Sequence, residues 1–161
     1  MKKFELANET KTLPDGTILY RIRRLSDGEL GGWIEREANL SHEGACWVSG
    51  DACVFGDAHV YGNAHVSGDA HVSGDARVYG DAQVFGDAHV YGNAQVFGHA
   101  RVYGDAQVYG DARVYEDARV HGDAHVYGNT QVFGHARVYG DAQVYGDARV
   151  YGDAQVAGSE R

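Results

Sequence analysis

The sequence predicts an all-β repeat protein, and three observations carry that expectation. From Gly50 to Ala157 the chain is an unbroken run of 18 six-residue units of the form Gly-Asp-Ala-x-Val-aromatic, as in Gly80-Asp81-Ala82-Gln83-Val84-Phe85. Val fills the fifth position of all 18 units, and Ala fills the third of all but one, where Thr130 stands. Glycine, at 23 of 161 residues, is about twice its usual share, while proline occurs once. Self-similarity at a fixed short period is the mark of a stacked repeat architecture.

Taken in order, the chain divides into a cap (1–43), a repeat region (44–157) and a short tail (158–161). In the cap, Leu13-Pro14-Asp15-Gly16-Thr17 carries a turn signal, and Ile18 to Arg23 behind it reads as a strand. Gly31-Gly32-Trp33-Ile34 and Asn39-Leu40-Ser41 look like degenerate repeat units that close onto the regular ones. A looser unit, Gly44-Ala45-Cys46-Trp47-Val48-Ser49, leads into the hexads. Side chains alternate along a strand, so Ala and Val face one side while x and the aromatic face the other. The Gly-Asp pair makes the corner. Its second residue is Asp in 13 units, Asn in 3 and His in 2. These are the non-glycine residues most tolerant of positive φ, which predicts a left-handed conformation at that position.

An aliphatic residue followed four positions later by a small one, as in Val78-Tyr79-Gly80-Asp81-Ala82, resembles the hexapeptide-repeat superfamily. The resemblance implies a left-handed parallel β-helix, a triangular solenoid with three hexads per coil. The handedness is a property of that family and does not follow from spacing. Asp87–Tyr115 and Asp123–Tyr151 agree at 28 of 29 positions at an offset of 36, which is two whole coils of 18. The hexads then form six regular coils, roughly 29 Å long at ~4.8 Å per coil. The Gly-Gly-Trp, Asn-Leu-Ser and Trp-Val stretches at the start of the chain also resemble bacterial and phage hexapeptide proteins of acyltransferase-like or polymer-forming type.

Residues 18 apart align into columns. One corner reads Asp51, Asp69, Asp87, Asp105, Asp123 and Asp141, an acid at every level. The second corner dilutes its Asp with Asn93 and Asn129, and the third with Asn63, His99 and His135. One outward column is aromatic throughout: Tyr61, Tyr79, Phe97, Tyr115, Phe133 and Tyr151. The aromatic columns of the other faces are broken by Ser73, or by Ser67 and His121. The Asp edge and the aromatic column are the candidate interaction surfaces. Stacked aromatics stabilise strand ladders, and a continuous aromatic face can also serve as a contact surface.

Composition narrows the function. An excess of 23 Asp and Glu over 14 Lys and Arg, with a net charge of −9, argues against direct nucleic-acid binding. No apolar run is long enough to span a membrane, and the start of the chain has no signal-peptide core, so a cytoplasmic location is expected. Two cysteines do not make a disulfide scaffold, and Cys46, in an Ala slot, is expected to be a buried thiol.

Hexapeptide acyltransferases, by the same resemblance, place a catalytic His at a loop between trimer subunits. Here no loop interrupts the hexads, and eight of the nine His occupy regular repeat positions. The stacked pair His71 and His89 falls short of a closed zinc site, and the six-residue repeat differs from calcium-binding β-rolls. No catalytic residue, cofactor or metal is therefore assigned. The expected function is a non-catalytic structural or interaction module: a rigid, self-associating solenoid that pairs with a second copy through its uncapped C-terminal edge. The alternatives are a divergent acetyl-CoA-dependent acyltransferase and an acidic decoy for a basic or DNA-binding protein partner.

Overall fold

A computed structural model describes residues 2–158. The chain starts with three longer strands, β1 (Phe4–Thr12), β2 (Ile18–Arg24) and β3 (Leu30–Ile34), followed by one 3₁₀ turn at Glu37–Asn39. From Trp47 onward every strand is two residues long, the x and Val of one unit, from Trp47–Val48 to Gln155–Val156. These strands stack in parallel into three sheets of nine, seven and six strands. The first face runs from β3 through Cys53–Val54 to Gln143–Val144. The second runs from His59–Val60 to Arg149–Val150, and the third from Trp47–Val48 to Gln155–Val156. Seven strands on the third face make a β-solenoid of seven turns: the six regular coils and the degenerate one before them.

The rung spacing is 18 residues throughout the hexads, as in Arg101 opposite Arg119 and Val102 opposite Val120. On two faces of the degenerate coil it lengthens to 20, where Trp33 pairs with Cys53 and Leu40 with Val60, while on the third Trp47 pairs with His65 at 18. The core is a shaft of Val and Ala, almost all of them fully buried. Each Val so buried contributes about 1.5–3 kcal/mol of hydrophobic stabilisation before the entropy of ordering is counted.

The corners depart from the sequence expectation. Among the described residues, positive φ falls on the Gly of each unit, and the only non-glycine residue there is Glu116, at φ 59°. The Ala N–H closes the turn onto the aromatic carbonyl three residues back, as in Ala58 to Phe55 at 3.3 Å. A four-residue turn with positive φ at its first central residue alone is of type II′, so the Asx or His position needs no left-handed backbone. Gly is also required for space: a Cβ on Gly80 would lie 2.9 Å from the Gly98 nitrogen of the next coil.

The cap is an antiparallel hairpin added to the first sheet, with β1 paired to β2 and β2 to β3. Phe4 and Ile22 close the end of the Val–Ala shaft. Leu19, Trp33 and Cys53 form a small separate cluster with Leu13 and Phe55. Cys53 is therefore buried although it occupies an outward slot. No helix among the described residues is long and apolar enough to cross a membrane.

Candidate functional site

Because every strand holds one outward x residue and is followed by one aromatic slot, the outside of the solenoid is a set of straight side-chain ladders. The aromatic column named from sequence is continuous. Tyr61 stacks on Tyr79 at 4.7 Å, Tyr79 on Phe97, Phe97 on Tyr115 and Tyr115 on Phe133 at 4.9–5.0 Å, and Phe133 on Tyr151 at 5.4 Å. The rings are nearly parallel, so each face is covered by its neighbour and only the edges point outward. Tyr151, on the last coil, is 60% exposed. The Tyr79 and Tyr115 hydroxyls donate to Gln95 and Gln131 of the following coil, which ties the column to the x ladder beside it. Burial, and next the neighbouring Tyr61, hold the Tyr79 hydroxyl above the ordinary tyrosine range.

Broken columns still stack. His121 takes the aromatic slot on the third face and lies between Tyr103 at 4.8 Å and Tyr139 at 5.4 Å. Burial lowers its pKa first, and Arg137 and Arg119 lower it further. On the first face His71 stacks on His89 at 4.9 Å, and burial, followed by His89 and Lys11, lowers the His71 pKa.

The six acids Asp51, Asp69, Asp87, Asp105, Asp123 and Asp141 are all exposed along the edge between the third and first faces. Like charges about 5 Å apart in water repel by roughly 1 kcal/mol or less. The other two edges relieve this repulsion along the column. Asn63 donates to Asp81, Asn93 to Asp111 and Asn129 to Asp147 at 3.2–3.3 Å. His99 and His135 lie 3.5 and 3.6 Å from Asp81 and Asp117. Among the described residues the six-Asp edge has no such side-chain partners.

The arginines outside the cap are equally uncommitted among the described residues. The ion pairs of the described residues use Lys2, Arg21, Arg23, Arg24, Arg36, His42, His99 and His135. None uses the Arg residues of the hexads. On the second face Arg77, Arg113 and Arg149 alternate with Gln95 and Gln131. A shallow polar groove of about 410 Å³ lies there, between Asn93, Asp111 and Asn129 on one side and Gln95, Arg113 and Gln131 on the other. On the third face Arg101, Arg119 and Arg137 occupy successive rungs.

A further cluster, lying outside the repeat and unmarked by any motif, locks the cap. The Lys3 backbone N–H donates to His42 Nδ1 at 3.1 Å, so His42 Nε2 carries the proton given to Glu37 Oε1 at 2.9 Å. The His42 ring lies flat on Phe4 at 4.1 Å, and Lys3 Nζ donates to the Cys46 carbonyl at 2.6 Å. The His42 hydrogen bond is the main cause that holds the Glu37 carboxyl below its ordinary range.

This geometry defines a β-solenoid repeat protein. A family model described as the YdcK Beta solenoid repeat matches residues 70–84, 94–110, 106–122, 130–144 and 142–158, together less than half of the chain. The matches starting at 70, 106 and 142, and those starting at 94 and 130, are spaced by 36 residues, the two-coil offset of the internal duplication. The chain is thus similar to that repeat through much of its regular region. No curated protein matches it.

Proposed function

We propose that this chain is a non-catalytic scaffold: a rigid β-solenoid that associates with further copies of itself and offers its straight ladders to a protein partner. The observation that carries this reading is the uninterrupted run of coils from Gly50 onward. It aligns charged and aromatic side chains over the whole length without a loop to wall off a reaction chamber. Among the hexad His side chains His71, His89 and His121 stack flat within ladders, whereas acid–base catalysis needs a His aimed at a bound substrate.

Hydrogen-bond polarity bears on how copies meet. Three backbone N–H groups of each unit donate to the coil that follows, as in Cys53 to Ala70, Phe55 to Val72 and Asp57 to Gly74. The outer edge of the last described coil therefore presents mainly donors. Two such edges set tail to tail would place donor against donor, so pairing through this edge requires an acceptor-rich strand opposite it. The test is solution mass by light scattering over a range of concentrations, with acetyl-CoA titration by calorimetry alongside. Mass above the monomer with no heat of acetyl-CoA binding supports the scaffold. Saturable acetyl-CoA binding overturns it in favour of acyl transfer.

A further inference from the structure

We propose that the third face pairs side by side with the same face of a second copy in parallel orientation, with Arg101, Arg119 and Arg137 of each copy directed to Asp105, Asp123 and Asp141 of the other. This names the partner surface for the self-association argued above and rests on that reading.

The Arg ladder is the unusual feature. Arg101 lies opposite Arg119 and Arg119 opposite Arg137 on adjacent strands, three like charges in a row. Like charges directly opposite in a sheet destabilise it. The slot does not demand Arg, because Gln83 and Gln155 fill it in the same column. The second face separates its Arg with Gln, and the first face has none. Arg101 and Arg137 are exposed and Arg119 half-buried, and none has an acidic partner among the described residues. The field of Arg137 and Arg119 reaches His121, whose pKa they lower further after burial.

The complement is on the same molecule. Asp105, Asp123 and Asp141 stand four residues after Arg101, Arg119 and Arg137, at the far margin of the same face and on the same three coils. They cannot fold back onto these Arg without crossing the Tyr103–His121–Tyr139 stack. A two-fold axis parallel to the solenoid axis exchanges the two margins of the face and preserves the coil level. It therefore brings the Arg side of one copy to the Asp side of the other. A two-fold axis across the coils would instead set Arg on Arg. The pitch of both ladders is identical by construction, so three pairs on each side of the axis, six in all, enter register together and the contact closes as a dimer.

The test compares the full chain with R101Q/R119Q/R137Q, using Gln because the column already holds it, and with the second-face control R77Q/R113Q/R149Q. Analytical ultracentrifugation at low and high salt is the readout. The proposal expects a dimer weakened by salt, weakened at least tenfold in R101Q/R119Q/R137Q, and unchanged in the control. If the full chain self-associates and the third-face variant does so equally well, the pairing surface is overturned and the scaffold reading survives. A chain monomeric at every concentration overturns both. Should the Arg variant fail to fold by circular dichroism, D105N/D123N/D141N tests the same contact from its other side, with the same tenfold loss expected and an unweakened dimer contradicting it.

Discussion

Glu116 stands directly on Gly98 in the corner column, at φ 59°, and its carbonyl accepts the His99 N–H at 2.8 Å. It keeps the backbone geometry of the glycines above and below while carrying a side chain that the left-handed region disfavours. That conformation costs an L-residue about 1–2 kcal/mol. Glu116→Gly should therefore stabilise the protein by about 1 kcal/mol, after the greater flexibility of unfolded glycine is offset. A rise of about 2–4 °C in Tm is the expected reading for a chain of this size.

The reverse change tests the corner more severely. Gly104→Ala combines a left-handed backbone with a Cβ placed 2.9 Å from the Gly122 nitrogen. Backbone here has no room to yield without disturbing the ladder on both sides. A loss of about 2 kcal/mol or more is expected in urea denaturation, larger than at Gly152, where no atom of the described residues lies within 4 Å of the added carbon.

Thr130 occupies an inward slot held elsewhere by Ala, and its hydroxyl is buried with no hydrogen-bond partner among the described residues. An unsatisfied buried hydroxyl costs about 1–3 kcal/mol, partly offset by the methyl it brings. Thr130→Ala, which restores the residue at the matching position 94, should stabilise by about 1 kcal/mol in the same assay.

Stability should fall as the solution turns mildly acidic. Burial is the first cause that lowers the pKa of His59, His71 and His121. In the unfolded chain these groups take up protons near pH 6.5, before the folded forms do, so unfolding is favoured as pH drops through that value. Glu37, held low chiefly by His42, adds stability above its ordinary range that is lost as pH falls through its folded value. Denaturation midpoints measured from about pH 7.5 to pH 5 should decline, and less so in the H71Q/H121Q variant. An unchanged slope in that variant would remove the histidines from the account.

The regular part of the fold was legible because one residue pattern repeats 18 times, and the columns followed by counting in steps of 18. Buried Ala and Val and the outward x and aromatic slots stand where alternation placed them, and Trp33 and Leu40, read as parts of degenerate units, pair with the next coil. The corner backbone was misassigned because Gly and Asx both favour turns, and composition does not say which of two adjacent residues takes positive φ. Cys53 was not predicted to be buried, since its cover comes from a hairpin far away in sequence. The Phe4–His42–Glu37 lock lies outside any period and was invisible for the same reason. The Arg101–Arg119–Arg137 run can be counted in the columns, but that these side chains have no acidic partner among the described residues is visible only in the structure.

Small-angle X-ray scattering of the full chain at low salt separates cross-section from length and so tests the third-face pairing directly. Pairing through the third face gives a particle of dimer mass with the length of a single solenoid and about twice its mass per unit length. A particle of monomer mass at every concentration would contradict it.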